Sequence, residues 1–292
     1  MHPAPSVILF STLSGLGFGM LAWLGIGMPE VTGKTAFFFY FVAYALSVGG
    51  LLASTFHLGN PQRALRAFTQ WKTSWLSREA WASVIALTVM GLYAIGQIFF
   101  ETRIAPLGWL GAIMSMLTVF TTSRIYAQLK TVPRWNHPTT SVLFLLYSIA
   151  GGALFFTGYT GLATILLLIT AAVQLLSWHF ADLRFAARGS TIETATGLGF
   201  MGKVRQFEPP HTGTNYLLHE MVYVVGRKHA KTLRIIAVLA AFILPALLLS
   251  FVTAGIILLV LAIILHMVGL FASRWLFFAE AEHVVGLYYD KR

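Results

Sequence analysis

Two side chains able to exchange protons stand at either end of one short connector, His57 and Glu79. The chain runs Phe56-His57-Leu58-Gly59-Asn60-Pro61-Gln62-Arg63, then Trp71-Lys72-Thr73-Ser74-Trp75-Leu76-Ser77-Arg78-Glu79. Asn60-Pro61 ends the preceding helix, because the residue before proline avoids helical torsions and proline lacks a donor. Ser77 reads as the cap of the next helix, with Glu79 in its first turn, where the helix dipole favours a negative charge. His57 then falls in the last turn of one helix and Glu79 in the first turn of its antiparallel neighbour. Both lie at one shallow depth, with Arg63, Arg78 and Trp75 beside them and Trp71 and Trp81 completing an aromatic belt. A histidine and a desolvated carboxylate titrate near neutral pH, and arginines donate to oxygen. That set suits a quinone, whose headgroup needs partners at two oxygens and exchanges two protons per turnover. A plainer reading competes: His57 satisfies terminal carbonyls, and Glu79 answers its own helix dipole.

The elements that must position these residues are long apolar stretches. A bilayer crossing takes roughly 20 apolar residues. Eight stretches qualify, near 5–28, 35–58, 79–99, 107–128, 139–158, 163–184, 231–253 and 255–280. They predict an all-α, polytopic membrane protein, a single membrane domain over 1–292 with two four-helix halves. An even number of crossings puts both termini on one side. Of the 20 Lys and Arg residues, 18 flank the spans on that side, and only Lys34 and Arg103 lie opposite. The excess of positive charge on short loops marks the cytoplasmic face, so both termini and the large loops are expected there, at a bacterial inner membrane. No basic region precedes the first stretch, which is long enough to span and is expected to be retained as the first helix.

Composition agrees and excludes several classes. The chain is 57% hydrophobic and 10% charged, with mean hydropathy +0.76. Its net charge of +10 sits at span ends on one face. That placement points to topology and anionic lipid headgroups, with no nucleic acid as partner. There is no cysteine, hence no disulfide, no thiolate nucleophile and no iron–sulfur cluster held by this chain. Electrons must come from or go to another subunit. The first span carries Ser11, Ser14, Gly15, Gly17, Gly19, Gly25 and Gly27, small residues that let helix backbones approach closely. His266 is the sole ionisable residue expected near mid-span, with Arg274 two turns away, and it reads as a hydrogen-bonded packing residue. A transporter would need more polar groups at that depth.

Two further loops share the basic face. The one over 126–138 contains Arg134-Trp135-Asn136-His137-Pro138 and reads as an interfacial turn anchored by Trp135. The one over 186–228 is too long for a mere connector. It holds Glu208, His211, Asn215, Tyr216 and Glu220 among two prolines and several aromatics, a plausible docking surface for a soluble subunit. A solvated linker is the alternative.

The opening His2-Pro3-Ala4-Pro5-Ser6-Val7-Ile8, the block Ser54-Thr55-Phe56-His57-Leu58-Gly59 and the run Trp75-Leu76-Ser77-Arg78-Glu79 carry a resemblance. The chain resembles the dimethyl sulfoxide reductase anchor-subunit family over nearly its whole length. The resemblance implies the membrane arm of a three-subunit enzyme, beside an iron–sulfur electron-transfer subunit and a molybdopterin catalytic subunit. The chain itself would be the non-catalytic, quinone-reactive part. It implies quinol or quinone binding at His57 and Glu79, with menaquinone or ubiquinone as the cofactor. Within the family the pattern is similar to the membrane subunit of cytoplasmic sulfite-oxidising enzymes, with quinol-driven dimethyl sulfoxide reduction as the alternative. Haem is not expected: His57, His179, His266 and His283 form no pair of diagnostic spacing, and no metal site is expected.

The orientation is directly testable. Reporter fusions at Arg292 and within 29–34 should give opposite readouts, the first cytoplasmic. A periplasmic signal at Arg292 would reverse the topology.

Overall fold

A computed structural model gives the fold; it describes residues 1–292 apart from 57, 157–158, 209–210, 224–227, 252–255 and 291–292. All regular elements among the described residues are helical. The long ones are α1 (Pro5–Ile26), α2 (Gly33–Thr55), α3 (Trp75–Phe99), α4 (Ala105–Ala127), α5 (Pro138–Ala153) and α6 (Thr160–Ala187). Two short helices follow, α7 (Ile192–Thr196) and α8 (Tyr216–Met221). Next come α9 (Ala230–Val238), a π-helical stretch Leu239–Ile243, and α10 (Leu244–Leu249), which together form one apolar rod. The last is α11 (Ile256–Ala279).

Seven helical segments among the described residues are long and apolar enough to cross a membrane. The predicted fifth crossing, 139–158, differs: its helix α5 has 16 residues and ends at Ala153. Gly151-Gly152 lies in its last turn, and the chain leaves the helix there. The predicted seventh crossing also differs in being broken in register by the π stretch, where Pro245 follows. Proline removes one backbone donor, and a wider turn absorbs the mismatch.

α1 is the central helix, packed against α2, α4, α5 and α11. Its small residues make this possible, as the sequence predicts. A β-carbon at Gly17 would collide with Ser47 and Ala43 of α2, and one at Gly19 with the Ser148 backbone of α5. The contact is reciprocal, because one at Gly152 would meet Gly19 and Met20. Lipid tails are as apolar as leucine, so such close packing, with no hydrophobic force between helices, is what holds the bundle. The Trp23 indole adds a hydrogen bond to the Ile149 carbonyl across the same contact, 2.9 Å.

Trp135 anchors the 126–138 turn by burial within the bundle. That ring is buried, stacks on Phe277 at 5.1 Å and donates to its carbonyl at 2.8 Å. His266 is a buried packing residue as expected, its Nδ1 2.6 Å from the Ala241 carbonyl on the π stretch. At the basic face, Arg134, Asp182, Arg234 and Glu280 form one ion cluster with separations of 2.6–3.2 Å. It ties the 126–138 turn, α6, α9 and the end of α11 together.

The glycine contacts make a stability prediction. Gly19→Val should destabilise the detergent-solubilised protein by about 1–3 kcal/mol through overpacking, seen as a lower melting temperature. Gly15→Ala, where a β-carbon meets nothing within 4 Å, should leave it unchanged.

Candidate functional site

The connector between α2 and α3 builds one wall of the site. α2 closes at Thr55, and the chain passes through a 3₁₀ helix, Pro61–Phe68, before α3 begins. Asn60-Pro61 opens this 3₁₀ helix and does not end α2 as expected, since α2 closes five residues earlier at Thr55. The cap of α3 is Ser74, whose hydroxyl accepts from the Ser77 backbone N–H at 3.4 Å. The sequence alone points to Ser77 as the cap. The helix starts three residues earlier because Ser77 is engaged otherwise: its Oγ accepts from Gln70 N–H at 3.0 Å and donates to the Ala67 carbonyl. Glu79 therefore sits past the first turn, on the buried face of α3.

Three residues of α3 fasten the connector down. Besides Ser77, the Arg78 guanidinium donates to the carbonyls of Trp71 and Lys72 at 2.9 and 2.6 Å, and the Trp81 indole donates to that of Phe68 at 3.0 Å. Trp75 lies under the Arg78 guanidinium at 4.3 Å and near that of Arg124 at 5.4 Å.

Beneath this connector lies a cleft of about 710 Å³ bounded by the ends of α2 and α3, the 3₁₀ helix and Phe10 of α1. That size suits a bound small molecule, for which clefts of roughly 300–1,000 Å³ are usual. The surface it exposes is mostly apolar, from residues such as Leu51, Leu58, Phe68 and Val84; the charged groups on it are Glu79, Arg63 and Arg66, and Gln70, Asn60, Thr55 and several serines add uncharged polar atoms. Glu79 is only 4% exposed, and its Oε1 accepts a hydrogen bond from the Thr122 hydroxyl of α4 at 2.6 Å.

Of the residues singled out from the sequence, Glu79 and Arg63 come together in this cleft. Arg78 and Trp75 do not line it; they pack beside it and hold its roof. His57 lies outside the described residues, between Phe56 and the cleft-lining Leu58. Arg66, Gln70 and Thr122 are additions that only the structure makes. Arg66 had a readable signal: side chains three apart in a 3₁₀ helix eclipse one another, so Arg66 shares a face with Arg63. Thr122 had none, because its partner is 43 residues away.

The 186–228 loop is partly folded. Thr191 caps α7, and Asn215 caps α8, accepting from Leu218 N–H at 2.8 Å. The loop packs on both ends of the chain. His211 stacks on Tyr289 at 5.9 Å, Asn215 Nδ2 donates to the Tyr289 hydroxyl at 3.2 Å, and the Glu220 carbonyl accepts from the His2 backbone N–H at 2.8 Å. Glu208 and Tyr216 remain exposed. So do three apolar side chains that carried no signal in the sequence: Phe200 (85%), Met201 and Phe207 (96%). His137 and His283 each cap a following turn. Burial holds both imidazoles below the usual histidine range, helped by the charge of Arg184 beside the first and of the chain's N-terminus beside the second.

A multi-helix membrane bundle with a polar-headed apolar cleft at one face defines the class. The chain belongs to the family described as DMSO reductase anchor subunit (DmsC), which it matches over residues 5–279. It is 33% identical to the C subunit of sulfite dehydrogenase from Allochromatium vinosum, over 99% of each sequence. It is 32% identical to the C chain of anaerobic dimethyl sulfoxide reductase from Haemophilus influenzae, over 38% of this sequence and 41% of that one. No solved structure matches it.

Proposed function

We propose that this membrane anchor passes electrons between an iron–sulfur subunit and the membrane quinone pool, with the cleft beside Glu79 as the quinone site. The observation that carries this is the cleft itself: one buried carboxyl and two arginines on a cleft whose exposed surface is mostly apolar. Glu79 would exchange a proton with the headgroup, Arg63 and Arg66 would donate to its oxygens, and the apolar wall would take the isoprenoid tail. His57, next to the cleft-lining Leu58, would be the second proton-exchanging group. Arg78 and Trp75 contribute by holding the connector in place. The quinone is ubiquinone or menaquinone.

The direction we favour is quinone reduction by electrons from sulfite, oxidised at a molybdopterin catalytic subunit. Its support is the near full-length likeness to a sulfite dehydrogenase subunit, against a partial one to a dimethyl sulfoxide reductase chain. The topology we propose has eight crossings, α5 being the short one, in a bacterial inner membrane with both termini cytoplasmic. Two four-helix halves fit the two large apolar clusters, one mainly from α1–α4 and the other mainly from α5, α6 and the last two rods. The iron–sulfur subunit would dock on the 186–228 loop through Phe200, Met201, Phe207, Glu208 and Tyr216, with His211, Asn215 and Glu220 bracing that surface from below.

Glu79→Gln keeps shape and hydrogen bonding but cannot ionise. It should slow quinone-coupled turnover of the assembled complex by about 10²–10⁴-fold if the carboxyl transfers the proton, while dye-coupled activity of the catalytic subunit persists. His57→Ala should act in the same direction. Wild-type rates with quinone in Glu79→Gln would remove the site from this cleft. Deleting 197–221 should leave the helices inserted, since each satisfies its backbone internally, yet release the soluble subunits on membrane washing. Retention at normal stoichiometry would make the loop a linker.

A further inference from the structure

Arg274 of α11 carries a charge that the bundle encloses and leaves unpaired. It is 4% exposed. Among the described residues it forms no ion pair, and its Nε has no hydrogen-bond partner. Its guanidinium lies 3.7 Å above the Phe144 ring and 5.1 Å from that of Tyr147. Those faces favour a cation but supply no opposite charge. A charge taken out of water needs a counter-charge or a full set of fixed partners. The ion cluster at the basic face gives it neither, because the two carboxylates there, Asp182 and Glu280, are held by Arg134 and Arg234. Three arginines thus stand against two carboxylates, and the one left over is Arg274.

Arg274 lines a cavity of about 40 Å³ between α5, α6 and α11, beside that cluster, with Arg134 and Glu280 also on its wall. A space of roughly 10–15 Å³ is enough for one water, so this one has room for a larger guest. Its uncharged polar groups are mostly engaged already. Thr140 donates to the Trp135 carbonyl at 2.8 Å, and Ser177 to Thr139 at 3.1 Å. Tyr147 donates to Gln174 Oε1 at 2.7 Å, so Ser273, 2.6 Å from the same hydroxyl, is the donor to it. Gln174 is 5% exposed, and with its oxygen occupied it keeps amide N–H groups that reach no acceptor among the described residues. The groups left free are therefore an arginine and an amide N–H pair, both donors only. A water uses acceptors as well as donors, whereas an anion uses donors alone.

We propose that this cavity binds one small monovalent anion of the chloride class, held by the Arg274 guanidinium and the Gln174 amide. One negative charge balances the surplus cation. A divalent oxoanion would overshoot it and would meet the carboxylate of Glu280, which is already committed to Arg134 and Arg234. The bound ion links α6 to α11 in the protein interior, next to the cluster that links them at the basic face. The site shares no lining residue with the cleft beside Glu79, so it stands whether or not quinone binds there.

The test is equilibrium binding of radioactive chloride to the detergent-solubilised complex, purified with gluconate as the only anion. Saturable binding that bromide displaces is the expected result. Arg274→Gln should weaken it by about tenfold or more, since a charge-assisted hydrogen bond is lost. Gln174→Glu keeps the shape of the side chain and sets a carboxylate in the cavity with Arg274. The protein then carries its own counter-charge, and chloride binding should disappear, which decides the matter even if Arg274→Gln fails to assemble. No saturable binding by the wild-type complex would overturn the proposal and leave water as the guest. Binding undiminished in Gln174→Glu, or in Arg274→Gln where it assembles, would place the anion elsewhere and overturn it as well.

Discussion

Everything in this bundle depends on how closely α1 lets its neighbours approach. In lipid there is no gain from hiding leucine from its surroundings, so helices associate through van der Waals fit and a few hydrogen bonds. Gly17, Gly19 and Gly152 remove the side chains that would hold α1, α2 and α5 apart. The Ser14 and Ser47 hydroxyls bond carbonyls within their own helices, so neither is left facing a neighbour unsatisfied. Four helices therefore meet one, and the space left among them is small and sealed.

That seal gives the ionisable groups their meaning. A charge enclosed by close-packed helices loses its water and must find fixed dipoles or an opposite charge. Glu79 has the Thr122 hydroxyl behind it and the cleft in front. Arg274 has two aromatic faces, whose electron-rich rings favour a cation. The Tyr147 hydroxyl next to it is held by Gln174 and Ser273 at 2.7 and 2.6 Å. The same packing that stabilises the bundle thus encloses one carboxyl beside the cleft.

The basic face is organised differently, by charge and by the two ends of the polypeptide. The Arg134–Asp182–Arg234–Glu280 cluster joins segments far apart in sequence, while the Met1 ammonium donates to the Ala281 carbonyl at 2.7 Å and Tyr288 and Tyr289 pin the long loop. The described parts of the loop are thereby tied to both chain ends, with Phe200 and Phe207 exposed. Family membership over residues 5–279 covers the bundle and this loop together.

Some of this was legible in the residues alone. An all-helical chain with several apolar spans follows from apolar length, because backbone groups in lipid must be bonded within a helix, and seven helical segments among the described residues are long and apolar enough to cross. The tight role of α1 followed from its glycines, and the place of Glu79 near the start of α3 from the serine-rich run before it. The inward-facing side of Glu79 did not follow, because the position of the α3 cap was decided by Ser77 bonding the folded connector. Nor did the short α5, the break before Pro245 or the burial of Trp135, each set by what lies across the bundle. Thr122, Thr12 and Arg274 sit in three different helices, ordinary residues in every local window. Only the tertiary structure places them around one small cavity, with Thr122 also bonded to Glu79, since local periodicity tells which face a residue takes and says nothing of what faces it.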